Sequence, residues 1–237
     1  MADNVSSYSN LFLKVLPPHD LALLAPALQF ADLKQGEVLG EPGQPVSDVV
    51  FIGAGMVSLL TTMQDGTAIE VATLGRESIL GVLSALGSHR GNVRAIVQID
   101  GVGWKIRAAD FRAAVDKSRT LRHLVLLSSE LILAQMQQTA ACNALHSAER
   151  RLCRWILQAH DRIDNDVIEL TQDFLAQMLA VRRPTVTLIA QNLQSAGLIR
   201  YRRGRITIVD HAGLEKLACE CVGEIRTKTR HILAELH

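Results

Sequence analysis

Between residues 36 and 106 the apolar positions come in short runs separated by glycine. The runs cover residues 49–52, 56–61, 69–73, 93–99 and 103–106, and each is rich in residues that favour strands. Asp65-Gly66 is a hairpin turn signal between two of them. Many short strands at close spacing predict a compact antiparallel roll. Ahead of the roll, Leu11, Phe12 and Val15, then Leu21, Leu24 and Leu28, repeat at helical spacing. Pro17-Pro18 interrupts that pattern and predicts a short helix from about Asp20.

The pattern changes at Ala108. From there to Cys142 the chain holds no glycine or proline, and good helix formers dominate. Leu121, Leu124, Ser128, Leu131, Gln135 and Gln138 repeat at three- and four-residue intervals, with Val125 and Ile132 on an adjacent stripe. One stripe is expected to cover the roll and the other to face outward. A second helix is predicted over 147–163, with Leu152, Trp155, Ile156 and Ala159 as its apolar face. A polar loop at 161–166 and a short strand at 167–170 follow.

Thr171-Gln172-Asp173 then opens a helix, with Thr171 as N-cap and Asp173 near the positive helix end. Phe174, Leu175, Met178 and Leu179 form its inner face, and it ends near Ala180. Pro184 suits the first turn of a further helix, over about 184–195, which Gly197 stops. Val186, Ile189, Ala190 and Leu193 are its inward face. Two short helices joined by a tight turn are a helix-turn-helix. Leu198 to Val209, with the turn Arg203-Gly204, predicts a hairpin wing. From His211 a last helix carries Leu214, Leu217, Cys221, Ile225, Ile232 and Leu233 at helical spacing, expected to pack on this unit.

Charge sharpens this picture. The 237-residue chain has a net charge of +1, yet six arginines and no acidic residue lie between Arg182 and Arg205. Such a patch neutralises phosphates and releases counterions. Arg182, Arg183, Thr185, Thr187, Leu188 and Gln191 are placed where a recognition helix meets base edges in the major groove. Thr171 and Gln172 join them at the first helix. Arg202, Arg203 and Arg205, on a wing spanning 200–207, are placed on phosphates, where they orient without reading sequence. Arg200 faces solvent.

The remaining composition mostly excludes. Hydrophobic residues make up 48% and charged residues 21%, which is ordinary for a soluble globular chain. No apolar run is long enough to span a bilayer, and Met1-Ala2-Asp3-Asn4 does not open a signal peptide, so a cytoplasmic location is expected. Cys142, Cys153, Cys219 and Cys221 form no CxxC pair. Cys219 and Cys221, two apart in an expected helix, should point to different faces. They read as buried thiols, with a metal site using His211 or His231 as the alternative. No nucleophile–base pair, phosphate loop or metal-ligand spacing stands out, which argues against an enzyme and implies no cofactor.

Together these features resemble the Crp/Fnr family of bacterial transcription regulators over nearly the full length. Lys34-Gln35-Gly36-Glu37-Val38-Leu39, Pro42-Gly43 and Val49-Val50-Phe51-Ile52-Gly53-Ala54-Gly55-Met56-Val57-Ser58-Leu59 look like its cyclic-nucleotide-binding-type roll. The stretch from Leu170-Thr171-Gln172 to Ile206-Thr207-Ile208 looks like its winged helix. The resemblance implies an α+β fold. A sensor β-roll of the double-stranded β-helix or jelly-roll type (1–118) would precede a long dimerisation helix (119–145) and a winged helix-turn-helix DNA-binding domain (146–237). It implies a homodimer on two-fold-symmetric double-stranded DNA, contact with RNA polymerase and no membrane partner. It assigns Leu121, Leu124, Ser128, Leu131 and Gln135 to the dimer seam. A ligand-sensing module acting through protein partners without DNA is the alternative, and salt-dependent DNA binding separates the two.

The effector pocket departs from the family pattern. The resemblance places it at Gly81, Val82, Leu83, Gly91, Asn92 and Arg94. The position of the ribose-binding acid falls on Gly81 or Val82. That of the phosphate-binding Arg-Ser or Arg-Thr pair falls near Gly91-Asn92, so cAMP is not expected. No cysteine precedes Cys142 to hold an iron–sulfur cluster at the N-terminus, and His89 and His123 are haem ligands by residue type alone. In the reading helix Arg183 keeps the family's first arginine. Pro184 and Leu188 replace a Glu and a second Arg, so the operator should differ from the best-known one.

Overall fold

The computed structural model describes residues 8–163 and 166–235. The first four residues, and residues 164 and 165 of the expected polar loop, lie outside them.

The chain opens with α1 (Leu11–Val15) and α2 (Pro18–Leu24). Buried Asn10 caps α1, its Oδ1 accepting from Phe12 N and Leu13 N, while its Nδ2 donates to Ile52 O at 2.8 Å. Six strands follow: β1 (Gln29–Leu33), β2 (Val38–Gly40), β3 (Asp48–Thr62), β4 (Ala68–Leu74), β5 (Ile79–Leu80) and β6 (Arg94–Arg107). Helix α3 (Val82–Leu86) sits between the last two. All pairs are antiparallel, in the order β1-β6-β3-β4, with β2 on β6 and β5 on β3.

The two long strands correct the expected pattern. Runs 49–52 and 56–61 are one strand, β3, and runs 93–99 and 103–106 are one strand, β6. The glycines between them mark bulges rather than turns, because register shifts at Ile52/Ala54, Ala54/Met56 and Met56/Val57 bend the pair. At this corner Gly101 lies against Ala54 O so closely that a Cβ has no room. The bend lets one end of β6 pair with β1 and the other with β2, wrapping the sheet into a roll. Val49 and Phe51 face one core cluster while Val50 and Ile52 face another. Both faces are buried, which is why the run is continuously apolar.

Helix α4 (Ala108–Lys117) leads to α5 (Arg119–Leu145). Ser118 separates them: its Oγ accepts from Leu121 N at 3.0 Å and donates to Asp20 Oδ1 at 2.6 Å. The expected dimer seam is used inside the chain. Leu121, Leu124 and Leu131 join the core cluster around Phe12, Phe51 and Phe111, and Ser128 is 0% exposed. Gln135 Oε1 accepts from Thr73 N on β4 at 2.9 Å. The outward face of α5 instead carries Leu126 and Leu133, 66% and 55% exposed. The adjacent stripe of Val125 and Ile132 is also turned inward rather than outward: Val125 is buried in the same core cluster and Ile132 packs against the second one.

The remainder is α6 (Ala148–His160), β7 (Val167–Glu169), α7 (Gln172–Leu179), α8 (Arg183–Ser195), β8 (Ile199–Arg202), β9 (Arg205–Ile208), α9 (His211–Leu217) and α10 (Cys221–Ala234). The expected last helix is thus two. Ala218 turns to an extended conformation (ψ 161°), and α10 departs along α5, where Ile232 enters the core cluster of the roll. Helix α6 is buried all round and joins the winged-helix core. No helix among the described residues is long and apolar enough to cross a membrane.

The winged-helix unit docks on its own roll through an apolar contact, with Met56 of β3 and Ile99 of β6 in the winged-helix core cluster, and through polar contacts at β4. Glu70 Oε2 accepts from Ser58 Oγ at 2.5 Å and from Trp155 Nε1 at 3.3 Å. Burial pushes the Glu70 carboxyl up to about 7, against weaker opposing effects of the Ser58 bond and the Arg154 charge. Its folded pKa therefore lies above the ordinary value of 4.5, so this contribution to stability is present at low pH and lost as pH rises through about 7. Urea midpoints measured at about pH 5 and about pH 8 should fall for the native chain and fall less for Glu70→Gln, which stays neutral. Equal pH slopes for the two proteins would show that Glu70 is ionised when folded.

Candidate nucleic-acid interface

Helices α7 and α8 form the expected helix-turn-helix, with bounds that shift by one residue. Thr171 caps α7, its Oγ1 accepting from Phe174 N at 3.3 Å. Ala180 ends α7 in the left-handed region (φ 49°, ψ 48°), which makes the turn tight. Helix α8 starts at Arg183 rather than Pro184, with Arg182 as its N-cap residue and Pro184 in the first turn.

The helical period sorts the side chains of α8. Val186, Ile189, Ala190 and Leu193 are buried against Leu175, Leu179 and Trp155. Arg182, Arg183, Thr185, Leu188 and Gln191 are exposed, Leu188 by 58%. A leucine with that much surface on a well-packed helix has no intrachain partner to explain it.

Two of the expected contact residues also meet each other. The Thr187 hydroxyl lies 2.7 Å from Gln172 Oε1 and 3.1 Å from Arg183 O, and both side chains are half-buried. This bond joins the two helices, and both side chains stay partly exposed beside the open face of α8. Arg183 Nη1 lies 3.4 Å from Asp173 Oδ2, with both groups more than half exposed. An ion pair that open to water holds little energy and yields readily to a stronger anion.

The wing is a three-stranded sheet in the order β7-β9-β8. Its tip is a two-residue turn with positive φ at both centres, Arg203 at 50° and Gly204 at 75°, as a type I′ hairpin requires. Tyr201 fastens the base of the wing, its N–H donating to Gln194 Oε1 at 2.8 Å and its hydroxyl to Leu170 O at 3.0 Å. Arg205 pairs with Glu169 across β9 and β7 at 2.8 Å, both groups exposed. Arg182, Arg200, Arg202 and Arg203 are exposed and make no ion pair among the described residues.

A cavity of about 250 Å³ occupies the expected effector position in the roll. Gly81, Val82, Leu83, Gly91 and Asn92 line it, but Arg94 does not, because its Nε lies 3.3 Å from Glu41 Oε1. Ile132 and Met136 of α5 close one wall. The charged residues of the lining are Glu41 and Asp48, and no Lys, Arg or His joins them. A cyclic nucleotide brings a phosphate anion, and a lining with two carboxylates and no cation opposes it. Arg90 is turned away too, donating to Gly43 O at 2.6 Å. The residues present do not fit a cyclic nucleotide.

Residues 31–118 match the model of the cyclic nucleotide-binding domain, and residues 150–217 match that of the Crp-like helix-turn-helix domain. The global nitrogen regulator of Synechococcus elongatus is 25% identical over 199 residues, covering 80% of this chain and 89% of that protein. Among solved structures, FixK2 from Bradyrhizobium japonicum superposes with a TM-score of 0.69 at 15% identity, over 81% of this chain and 98% of that one. A Crp/Fnr-family transcriptional regulator from Thermus thermophilus gives 0.65 at 21% identity, over 80% and 98%. With both domain models matched in order along one chain, and with the roll, long helix and winged helix in place, the protein belongs to the Crp/Fnr family of DNA-binding transcription regulators.

Proposed function

We propose that the chain acts as a homodimer on two-fold-symmetric DNA, with α8 in the major groove and the wing on the phosphates. The observation that carries this reading is the uncovered face of α8. Arg183, Thr185, Leu188 and Gln191 stand exposed while the opposite face is fully packed. Arg183 suits guanine O6 and N7, Gln191 suits adenine, and Leu188 and Thr185 suit the thymine methyl. Arg202 and Arg203 supply phosphate contacts at the wing tip, and Arg205 joins them on release from Glu169. The dimer forms on Leu126 and Leu133, which are seven residues apart on the outward face of α5. In this reading residues 1–118 sense, 119–145 join the protomers and 146–237 bind DNA. The sensed molecule is not a cyclic nucleotide.

Selection of bound sequences from a random DNA pool tests the geometry. Two half-sites about 34 Å apart, one helical turn, are expected from a two-fold dimer with paired recognition helices. A single unpaired site would overturn the dimer. Arg183→Ala should cost about 1–3 kcal/mol in DNA affinity and relax the preference at one base pair. Arg203→Ala should weaken binding to all sequences alike and lower the salt slope by about one phosphate contact. If Arg183→Ala instead behaves as Arg203→Ala does, α8 is not the reading element. Leu133→Glu places a charge in the dimer seam, and light scattering should report a monomer that keeps the native far-ultraviolet circular dichroism.

A further inference from the structure

The helix break at Ala218 brings three cysteines and a histidine together. Cys142 lies near the end of α5, His146 caps that helix, and Cys219 and Cys221 flank the entry to α10. Their ligating atoms all lie within 4.8 Å of one another. The Sγ atoms of Cys142 and Cys219 are 3.5 Å apart, and Cys221 Sγ is 3.6 Å from His146 Nδ1. A tetrahedral zinc ion with bonds of about 2.3 Å to sulfur and about 2.0 Å to nitrogen sets its ligand atoms about 3.5–3.8 Å apart. We propose that Cys142, His146, Cys219 and Cys221 form a tetrahedral site for one zinc-class divalent cation.

The groups around the four ligands fit that use. His146 turns Nδ1 toward the thiols and holds Nε2 3.1 Å from Glu220 Oε1. A carboxylate on the far ring nitrogen is the usual outer support of a metal-bound imidazole, because it fixes tautomer and ring orientation. Gln138 Nε2 donates to Cys221 Sγ at 3.2 Å and holds that sulfur beside the other ligands. Arg154, only 5% exposed and with its Nε unbonded, places its charge near Cys142 and Cys219. This guanidinium lies near Glu70 as well, and three thiolates with one divalent cation would leave a single negative charge for it to face on the other side. On ligation each thiol releases its proton to solvent and the ion takes the vacated lone pair.

The site joins the end of α5 to the α9–α10 junction, so an ion there fixes the winged-helix unit relative to α5. That consequence rests on the DNA-binding reading, but the site does not, and its test uses no DNA. The reduced full-length chain is titrated with Zn2+ against a chromophoric chelator, and with Co2+ as an optical probe. One ion per chain is expected, with the intense visible absorption of tetrahedral cobalt bound to thiolate. Cys142→Ser and Cys219→Ser should each lose at least about tenfold in affinity, since even outer-shell changes cost that much. His146→Ala should show the same loss, with far-ultraviolet circular dichroism checking that the largely buried position tolerates the change. Cys153, buried outside the cluster, is the control, and Cys153→Ala should bind as the native chain does. Zn2+ should raise the melting temperature of the native chain but not of Cys219→Ser. Three outcomes overturn the proposal: uptake no greater than in the Cys142→Ser/Cys219→Ser double variant, a pale octahedral cobalt spectrum, or iron with acid-labile sulfide in anaerobically purified protein.

Discussion

The burial of α5 is the constraint on which the rest of the structure depends. A helix of 27 residues runs about 40 Å. Helical propensity alone does not hold such a length straight in water, so its stability comes from packing. Leu121, Leu124 and Leu131 anchor its first half in the core shared by α1, α4 and β3. Gln135 ties its middle to β4, and Gln138 meets both Cys221 and Lys228 of α10. The helix thus touches every part of the chain that matters to function. Ile132 and Met136 wall the cavity, Leu126 and Leu133 face outward, and Cys142 and His146 end it beside the winged helix. From Ile132 to Cys142 is ten residues, or about 15 Å.

The winged helix solves a local problem with few residues. Four buried side chains on α8 and the Thr187–Gln172 bond fix the angle of the reading helix, which leaves its other face free for DNA. The six arginines divide by their neighbours. Arg183 and Arg205 rest on Asp173 and Glu169, while Arg182, Arg200, Arg202 and Arg203 stand unpaired. Exposed pairs of this kind keep side chains ordered without binding them tightly, so exchange of a carboxylate for a phosphate costs little. What began as one basic patch divides between the entry of α8 and the wing.

Local features were legible in the sequence, and features set by distant partners were not. Caps, the Asp65-Gly66 and Arg203-Gly204 turns and the inner face of α8 all depend on neighbours within a few residues. The strands were split wrongly because glycine marks a bulge and a turn alike, and only the pairing of β3 with β6 distinguishes them. Burial of both apolar stripes of α5 within the chain was not legible, because the roll and α10 that cover them lie far away in sequence. The cysteines were missed for a similar reason. Residues 218–220 contain no glycine or proline to signal a break, so a continuous helix would have parted Cys219 from Cys221. Cys142 and His146, four apart at a helix end, were the one local hint, since that spacing sets two side chains on one face.

One element borders both the cavity and the thiol cluster: Ile132 and Met136 of α5 wall the first, and Cys142 and His146 at its end belong to the second. Neither needs to reach the DNA-binding face directly, because the winged-helix unit is already held by the roll through Trp155–Glu70, Arg162–Glu77 and Gln98–Met178. These polar contacts flank an apolar one, in which Met56 and Ile99 of the roll join the winged-helix core. A ligand shifts such a docking only by its difference in affinity for the docked and released forms, and a tenfold difference supplies about 1.4 kcal/mol. A ligand in the cavity or a cation at the cluster would act on the docking only through a difference of that kind, and α5 is the element that both would touch.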